Sequence, residues 1–543
     1  MVTARNLALP IHSLPPEILR VVFSLCAETD RQPSGVWHPA LPLSHTCSLW
    51  RTISLQHPSL WSRVDLSKLS YPIADLILRR GENIPLRIVG CDEHTRLSVI
   101  ALLPDSAHRL EELSLQVSGT NNSAAILCGI PSVPYPRLTR ISLASTPLPG
   151  PPGFMRTTIL PTPLFGGNTP MLRHLSLSGV RIPFTSGHYC NLSTLKIDKP
   201  SRFVQEDGDI CWTVRESPNL EHLEISLLVN PTRDTAMEAL VASGDRQQPL
   251  IALHRLRTVK LNMPFALVHR LLSSIDSDSV DVLQISVTGF IRHPLQVSEL
   301  LTLPSGLNLA RVFGRIQNLS VDISGFRAIH IDCIRSQITG SNYPYIDTAA
   351  APFKLKWIEV ASRTEMLPAV AEAIRSRYEL PELFGLTLDS SQPLEQGYAP
   401  NGSVLRCFLS FPAYKSLILT GRAHQCITYR EQQETLPRLP EVPPTLKRIV
   451  IRGEVHHDEV QLFWEWCRKL DSLTELRMGS AIMQCYTNQQ GLAFLQQVSL
   501  RRNITAFSWP KFRFWKAATG AYGSPSDMRE EWRLDMSEGI KVE

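Results

Sequence analysis

A short apolar pattern recurs along most of the chain and limits its possible folds more than any other feature. Its sharpest form places leucine two residues after proline, then leucine or isoleucine three and five residues after that leucine. Five segments fit: PRLTRISL, PMLRHLSL, PNLEHLEI, PELFGLTL and PTLKRIVI. With looser copies, such triplets run from Leu110 to Ile504, about one every 30 residues. Alternate residues of a strand share a face, so each copy predicts a short strand with one apolar side.

Units of this kind cannot bury their apolar faces alone, so stacking is expected. The pattern resembles the leucine-rich-repeat family over residues 61–515, with irregular steps of 20 to 39 residues. The expected fold class is therefore α/β, with an irregular leucine-rich-repeat solenoid at 63–515. The resemblance implies parallel strands on the concave face and helices and loops outside. Proline-rich inserts such as TPLPGPPGFMRTTILPTPLFGGNTP are interpreted as loops on its rim.

The chain begins differently, with helical rather than strand-like spacing. The segment IHSLPPEILRVVFSLC predicts an amphipathic helix that Ser13 caps and that has prolines in its first turn. Its predicted apolar stripe is Ile18, Leu19, Val22 and Cys26. A second helix is expected from the spacing of Leu43, Thr46, Cys47, Trp50 and Ile53. So small a helical module is expected to bury more surface against a partner or the first repeat.

Three segments in this module resemble the F-box family: LPPEIL at 14–19, CSLW at 47–50 and PSLW at 58–61. The resemblance divides the chain into a flexible N-terminus at 1–11, an F-box-like helical module at 12–62, the repeats, and a C-terminal cap or tail at 516–543. It implies docking onto a Skp1-like adaptor. The adaptor-binding residues expected from it are Leu14, Pro15, Glu17, Ile18, Leu19, Val22, Cys47, Trp50 and Trp61.

The function implied by this resemblance is a non-catalytic substrate receptor of an SCF-type ubiquitin ligase. The adaptor would link the chain to a cullin-RING ligase, and the repeats would hold an unknown protein substrate. One alternative is a leucine-rich-repeat interaction scaffold with no link to ubiquitination. Another is that residues 12–62 only cap the first repeat. Motifs of hydrolases, P-loop proteins and zincins are missing from the sequence, so no enzyme activity, cofactor or metal is expected.

Composition bears on the compartment and on the class of partner. The chain has an odd number of cysteines, eleven, and no C-x-x-C pair, which favours a reducing environment. No apolar stretch is long enough to span a membrane, so a cytoplasmic or nuclear protein is expected. The formal net charge of +5 is small, and nucleic acid is an unlikely partner. The aromatic and basic segment 501–516 is interpreted as an end cap, with target or nucleic-acid contact as alternatives.

Side chains on the face opposite the apolar one are candidates for target contact. In the early repeats these are serines, whereas the later ones carry charges and a tryptophan, which provide selectivity and binding energy. The predicted substrate surface lies in the second half, near Trp357 and Arg448. Its residues are Lys260, Trp357, Glu359, Arg448, Glu475 and Arg477. The alternative is that these side chains are solvated, or are covered by rim loops.

Overall fold

A computed structural model shows an α/β protein in which most strands are parallel. The chain forms two compact units, one of residues 1–230 and 251–258 and one of 231–250 and 259–543. The helical module and the first repeats therefore belong to the same unit. The structure describes residues 10–28, 38, 40–65, 69–81, 83–91, 103–118, 133–146, 158–159, 164–182, 189–198, 213–227, 250–288, 310–313, 316–322, 329–334, 353–357, 363–377, 380, 383–390, 405–411, 414–421, 423–424, 427, 442–452, 454–456, 462–463, 465–467, 469–477, 482–485, 506–508 and 512–514.

The first unit begins with helices and continues as strands. Its helices are α1 (Pro16–Glu28), α2 (Ala40–Thr46), α3 (Ser48–Leu55) and α4 (Tyr71–Arg80). Its strands are β1 (Arg63–Asp65), β2 (Leu86–Cys91), β3 (Leu110–Ser118), β4 (Arg140–Thr146), β5 (Thr158–Ile159), β6 (His174–Ser178), β7 (Val180–Arg181), β8 (Thr194–Asp198), β9 (His222–Ser226) and β10 (Ile251–Ala252). Short 3-10 turns cover Pro10–Ser13, Pro58–Trp61, Pro104–Arg109 and Leu164–Gly167.

The main sheet of this unit is parallel and follows the order of the sequence. Strands β1, β2, β3, β4, β6, β8 and β9 pair successively. The short strands β5 and β7 form a separate parallel pair. Parallel neighbours require a crossover between them, so the chain returns to the same end of the sheet before each new strand.

The same backbone geometry recurs at the start of successive strands. The peptide N–H groups of Arg173 and His174 both donate to the Thr139 carbonyl, and those of Ser193 and Thr194 both donate to the Arg173 carbonyl. In the second unit, Lys447 and Arg448 donate to Lys415 in the same way. Each segment thus begins its strand on a carbonyl of the one before, as expected of a repeat array.

The second unit contains the remaining elements. Its helices are α5 (Phe265–Ser274), α6 (Ala310–Phe313) and α7 (Arg363–Arg377), and a 3-10 turn covers Leu405–Phe408. Its strands are β11 (Thr258–Pro264), β12 (Ile275–Asp276), β13 (Val282–Thr288), β14 (Asn318–Asp322), β15 (Ile329–Ile334), β16 (Phe353–Trp357), β17 (Gly385–Ser390), β18 (Ser416–Gly421), β19 (Arg448–Arg452), β20 (Glu454–His456), β21 (Glu475–Arg477), β22 (Ile482–Cys485), β23 (Ala506–Ser508) and β24 (Phe512–Phe514).

The strand order of the second unit departs from a simple parallel stack. From β13 the neighbours run β16, β15, β14, β17, β18, β19, β21 and β23. Strand β15 is antiparallel to both β14 and β16. The expectation that all repeat strands are parallel is therefore wrong at this point. Segment IHIDCI of β15 alternates apolar with polar residues, so it forms a strand that the triplet search does not detect.

A second parallel sheet accompanies the last strands of this unit. Strands β20, β22 and β24 pair in that order, and each begins six or seven residues after the start of β19, β21 and β23 respectively. The three successive segments thus share a pair of strands at a nearly constant spacing. This regularity supports a repeat architecture for the end of the described chain.

The apolar triplets form the core, as the sequence predicts. Eleven triplets are buried throughout: Leu110/Leu113/Leu115, Leu138/Ile141/Leu143, Leu172/Leu175/Leu177, Leu192/Leu195/Ile197, Leu220/Leu223/Ile225, Leu256/Val259/Leu261, Val280/Leu283/Ile285, Ile316/Leu319/Val321, Leu383/Leu386/Leu388, Tyr414/Leu417/Leu419 and Leu446/Ile449/Ile451. The predicted strand at Leu355/Ile358/Val360 instead runs over Phe353–Trp357, with Phe353 and Leu355 buried. The side chains of Met478 and of Ile504/Phe507/Trp509 lie outside the described part.

Candidate functional site

Helix α1 has two apolar faces, and only one of them is buried. Leu19 and Phe23 are fully buried. Ile18, Val21 and Leu25 are 47, 56 and 59% exposed, and Leu14, just before the helix, is 37% exposed. The spacing 18, 21, 25 places three of these side chains on one face of α1, because residues four and three apart share a helix face, and Leu14 lies two residues before the helix. We call Leu14, Ile18, Val21 and Leu25 the exposed stripe.

The exposed stripe differs from the stripe expected from the sequence. The expected one was Ile18, Leu19, Val22 and Cys26, but Cys26 is exposed and Val22 only half-buried. Apolar residues occupy a broad arc of α1, opposite Glu17, Arg20 and Ser24, so their spacing alone does not decide which part of that arc turns inward. Ser13 also does not cap α1: its hydroxyl donates to the Pro10 carbonyl, because it ends a 3-10 turn and the helix begins only at Pro16.

Large exposed apolar side chains are concentrated in the helical module. The described residues contain eight of them, and five lie between Leu14 and Leu55. Single exposed apolar residues are ordinary, but a contiguous row is a mark of an interaction surface. The exposed stripe is therefore the strongest candidate interface in the described part of the chain.

The Cys-x-x-Trp motif positions α3 against α1. Cys47 is the N-cap of α3, and its Sγ accepts a hydrogen bond from the Trp50 backbone N–H at 3.5 Å. The three-residue spacing is that of a cap and the third helical residue. The Trp50 ring lies 4.9 Å from the Phe23 ring, centroid to centroid. The motif thus holds the inner face of α1, which fixes the outward direction of the exposed stripe.

Trp61 is fully buried and anchors the end of the module. Its Nε1 donates to the Ser54 carbonyl at 2.9 Å, and the His38 ring stacks on it with centroids 5.3 Å apart. The Arg80 guanidinium lies 4.7 Å from the Trp61 ring centroid, a cation–π contact. Trp61 therefore joins the helical module to α4, which leads into the first strands.

His38 is held in its neutral form. The Ala40 N–H donates to its Nδ1 at 3.2 Å, so the ring proton lies on Nε2, which donates to the Arg63 carbonyl at 3.0 Å. Burial lowers the pKa of His38 to about 4, against the smaller raising effect of the Arg63 hydrogen bond. Protonation would place a hydrogen on Nδ1 and break the bond from Ala40.

This environment predicts a pH-dependent stability. The unfolded chain binds a proton at His38 below about pH 6.5, whereas the folded chain does so only near pH 4. The free energy of unfolding should be highest above pH 6.5. It should fall as the pH drops toward 4, by at most about 3 kcal/mol. Chemical unfolding of wild type and His38→Gln between pH 7 and 4.5 measures this. An equal pH slope in the two proteins would contradict the assignment.

The nine residues expected to bind an adaptor fall into two groups. Leu14, Pro15, Glu17 and Ile18 are exposed, and the structure brings them together at the start of α1. The others are buried or partly buried: Leu19, Val22, Cys47, Trp50 and Trp61. Leu19 and Trp61 are fully buried, so they contribute to packing and not to an accessible surface. Val21 and Leu25 were missed, although their spacing of three and seven from Ile18 was a usable signal.

In the main sheet of the first unit, the face opposite the buried apolar triplets carries rows of aligned polar side chains. Ser114, Ser142 and Ser176 are aligned across β3, β4 and β6, and Lys196 and Glu224 continue the row on β8 and β9. Lys196 Nζ lies 2.9 Å from Glu224 Oε1. The serines and this ion pair are half-buried or more open, so the row faces an accessible surface.

A second polar row lies two residues earlier on the same strands. It consists of Glu112, Arg140, His174 and Thr194. Arg140 is within 4.0 Å of Glu112, and His174 Nδ1 lies 3.0 Å from Thr194 Oγ1. Burial and the Arg140 charge lower the pKa of His174, despite a weaker opposing effect of Glu112. The charged side chains of this face thus largely pair with one another. Exposed ion pairs of this kind add little to the stability of the fold.

The residues predicted for target binding in the second unit lie on different strands where the structure describes them. Lys260 is half-buried on β11, and Arg448 Nε lies 3.4 Å from Glu475 Oε1 across β19 and β21. Four strands separate β16, which ends at Trp357, from β19. Neighbouring strands are about 4.8 Å apart, so these two are about 24 Å apart. Glu359 and the side chains of Trp357 and Arg477 lie outside the described part.

The face around Arg448 is also less open than expected. Ile418 and Val450 lie on the side of β18 and β19 opposite the buried triplets, yet they are 4 and 1% exposed. Ser416 is buried on the same side. Both faces of the sheet are therefore covered at β18 and β19. This agrees with the alternative that the side chains predicted for target binding are covered by other parts of the chain.

No family model matches the chain, and no curated protein matches it.

The polar segment 456–459 and the aromatic and basic segment 501–516 lie largely outside the described part of the chain. His456 ends β20, while the adjacent His457, Asp458 and Glu459 lie outside the described part, as do the side chains of 501–516. Among described residues, no three His, Cys, Asp or Glu side chains are placed to share a metal ion. The described helices include none with the length and apolar character needed to cross a membrane.

Proposed function

We propose that the protein is the substrate-recognition subunit of an SCF-type ubiquitin ligase. In this proposal the exposed stripe docks onto a Skp1-like adaptor, which links the chain to a cullin-RING ligase. The chain itself catalyses no reaction. The alternative is a leucine-rich-repeat scaffold that binds proteins without any link to ubiquitination.

The exposed stripe is the observation that carries the proposal. Leu14, Ile18, Val21 and Leu25 follow the spacing by which an amphipathic helix inserts into an apolar groove. Their inner neighbours Leu19 and Phe23 are already buried, so the outer row is not needed for the module's own core. A helical cap for the first repeat would need only the buried row, which favours docking over a purely protective role.

The target is proposed to lie on the polar face of the repeats. The row from Ser114 to Glu224 in the first unit supports this, because it is ordered and accessible. Of the residues expected in the second unit, Lys260 remains a candidate because its side chain is only half-buried and is therefore partly accessible. Arg448 and Glu475 are weaker candidates, since they pair with each other beside covered strands.

A single curved solenoid is proposed as the frame for this face. Its support is the recurring carbonyl geometry at strand starts and the buried triplets in both units. The β14–β15–β16 arrangement would then be an insertion into the repeat order. Fragments cut between repeats should be unstable, because each repeat shares its buried surface with its neighbours.

The proposal is tested by the double substitution Leu14→Ala with Pro15→Ala. Both residues are exposed, so the repeats should stay folded while adaptor binding is lost. Tagged wild type and variant are isolated from cells, and Skp1-like adaptor and cullin are quantified by mass spectrometry. Recovery of both from wild type alone is expected. Equal adaptor recovery with the variant, or none with wild type, would leave the scaffold function as the better account.

A further inference from the structure

A polar cluster lies beside the exposed stripe. Ser24, on α1, has its Oγ 2.9 Å from His57 Nε2. Ser59, in the turn Pro58–Trp61, has its Oγ 2.9 Å from the same nitrogen. Two hydroxyl groups from different elements therefore converge on one ring atom. Ser59 is exposed and Ser24 and His57 are half-buried, so the cluster is open to solvent.

Arg20 adds a positive charge to this cluster. It precedes Ser24 by one helical turn, so both side chains lie on the same side of α1. Its Nε is buried and has no hydrogen-bond partner among the described residues. Burial and, second, the Arg20 charge lower the pKa of His57. Glu17, one turn before Arg20, is exposed and makes no ion pair with it within the described part.

The four groups share one chemical property, which is that each can donate a hydrogen bond. Two hydroxyls meet on the imidazole, the Arg20 guanidinium lies on the same side of α1, and no carboxylate of the described residues accepts a hydrogen bond from these four groups. Clustered donors that carry positive charge are the common means of binding oxyanions in proteins. An anion would supply the acceptor that Arg20 Nε lacks and would reduce the repulsion between Arg20 and a protonated His57.

We propose that Arg20, Ser24, His57 and Ser59 form a binding site for an oxyanion. The chemistry is shared by a phosphate ion and by a carboxylate group, including an acidic side chain of a protein docked on the exposed stripe. Val21 and Leu25 each adjoin a cluster residue on α1, so the site lies at the edge of that stripe. The site does not depend on the proposed ligase function.

The test follows the His57 ring signal by NMR in the full chain, with carbon-13 in the histidine rings and His57→Gln to assign the signal. The pKa of His57 is measured in phosphate, in acetate and in chloride at one ionic strength. Phosphate should raise it by about one unit relative to chloride, because a bound anion stabilises the imidazolium. Arg20→Met and Ser24→Ala should reduce this rise, and Arg51→Met, on α3, should not.

The arms of the experiment separate the two sources of the anion. A rise in phosphate alone assigns the site to phosphate, and a rise in acetate as well extends it to carboxylates. A further rise on adding a Skp1-like adaptor, without either salt, would identify the partner as a source. Equal pKa values in all three salts, or an undiminished rise in Arg20→Met, would overturn the proposal. These salt arms remain informative even if the adaptor does not bind.

Discussion

Val21→Asp combined with Leu25→Asp is expected to abolish capture of a Skp1-like adaptor without unfolding the chain. Both side chains are more than half exposed, so their replacement should change the free energy of unfolding by less than about 1 kcal/mol. In an apolar interface, however, two carboxylates would be buried without partners, and binding should weaken at least 100-fold, or about 3 kcal/mol. Co-expression with the adaptor and quantitative capture measures the effect.

Phe23→Ala is the matched control on the same helix. Phe23 is fully buried against Trp50, so its truncation should destabilise the module by roughly 3 to 5 kcal/mol. Denaturant unfolding distinguishes the two variants: the exposed pair should keep the wild-type midpoint, whereas Phe23→Ala should lower it. A loss of stability in Val21→Asp/Leu25→Asp as large as in Phe23→Ala would show that the stripe belongs to the core.

Gly179→Ala should be strongly destabilising. Gly179 follows β6 with a φ of 63°, and an added Cβ would lie 2.3 Å from the Ser145 carbonyl oxygen. That oxygen belongs to the backbone of β4 and cannot move aside cheaply. The backbone conformation and the clash together should cost about 3 kcal/mol or more, measured as the shift in the free energy of unfolding.

Gly81→Ala provides a milder comparison. Its φ is −68°, and the nearest atom to an added Cβ is the end of the Arg109 side chain at 2.8 Å, with the Trp61 carbonyl oxygen at 3.3 Å. A side chain can shift where a backbone cannot, so a loss of roughly 1 kcal/mol is expected. If Gly179→Ala were no more destabilising than Gly81→Ala, the close contact between Gly179 and the Ser145 carbonyl would be contradicted.

The repeat core could be predicted from the sequence because one local rule generates it. Each triplet places its first residue in a turn and the next two on the inner face of a strand, and these positions are buried in both units. The pairing in the β14–β15–β16 arrangement could not be predicted in the same way. Its strands alternate apolar and polar residues, but local alternation does not say which strands pair, or in which direction.

The sequence located the helical module, but it did not settle which of its side chains are exposed. The motif residues 14–19 located the module, yet Leu19 turns inward and Val21 and Leu25 turn outward. The broad apolar arc of α1 leaves that choice to tertiary packing, here by Phe23 and Trp50. The predicted target surface near Trp357 and Arg448 stays a prediction, because distance in a sheet depends on strand order, which local patterns do not give.

Calorimetric titration of a purified Skp1-like adaptor into the full chain tests the central claim most directly. Burial of the exposed stripe predicts a complex of one adaptor per chain and a negative heat-capacity change of binding. That change should be smaller in Val21→Ala/Leu25→Ala, because less apolar surface is removed from water. A heat-capacity change that stays the same in this variant, or no binding by the wild type, would contradict the assignment of the stripe as the docking surface.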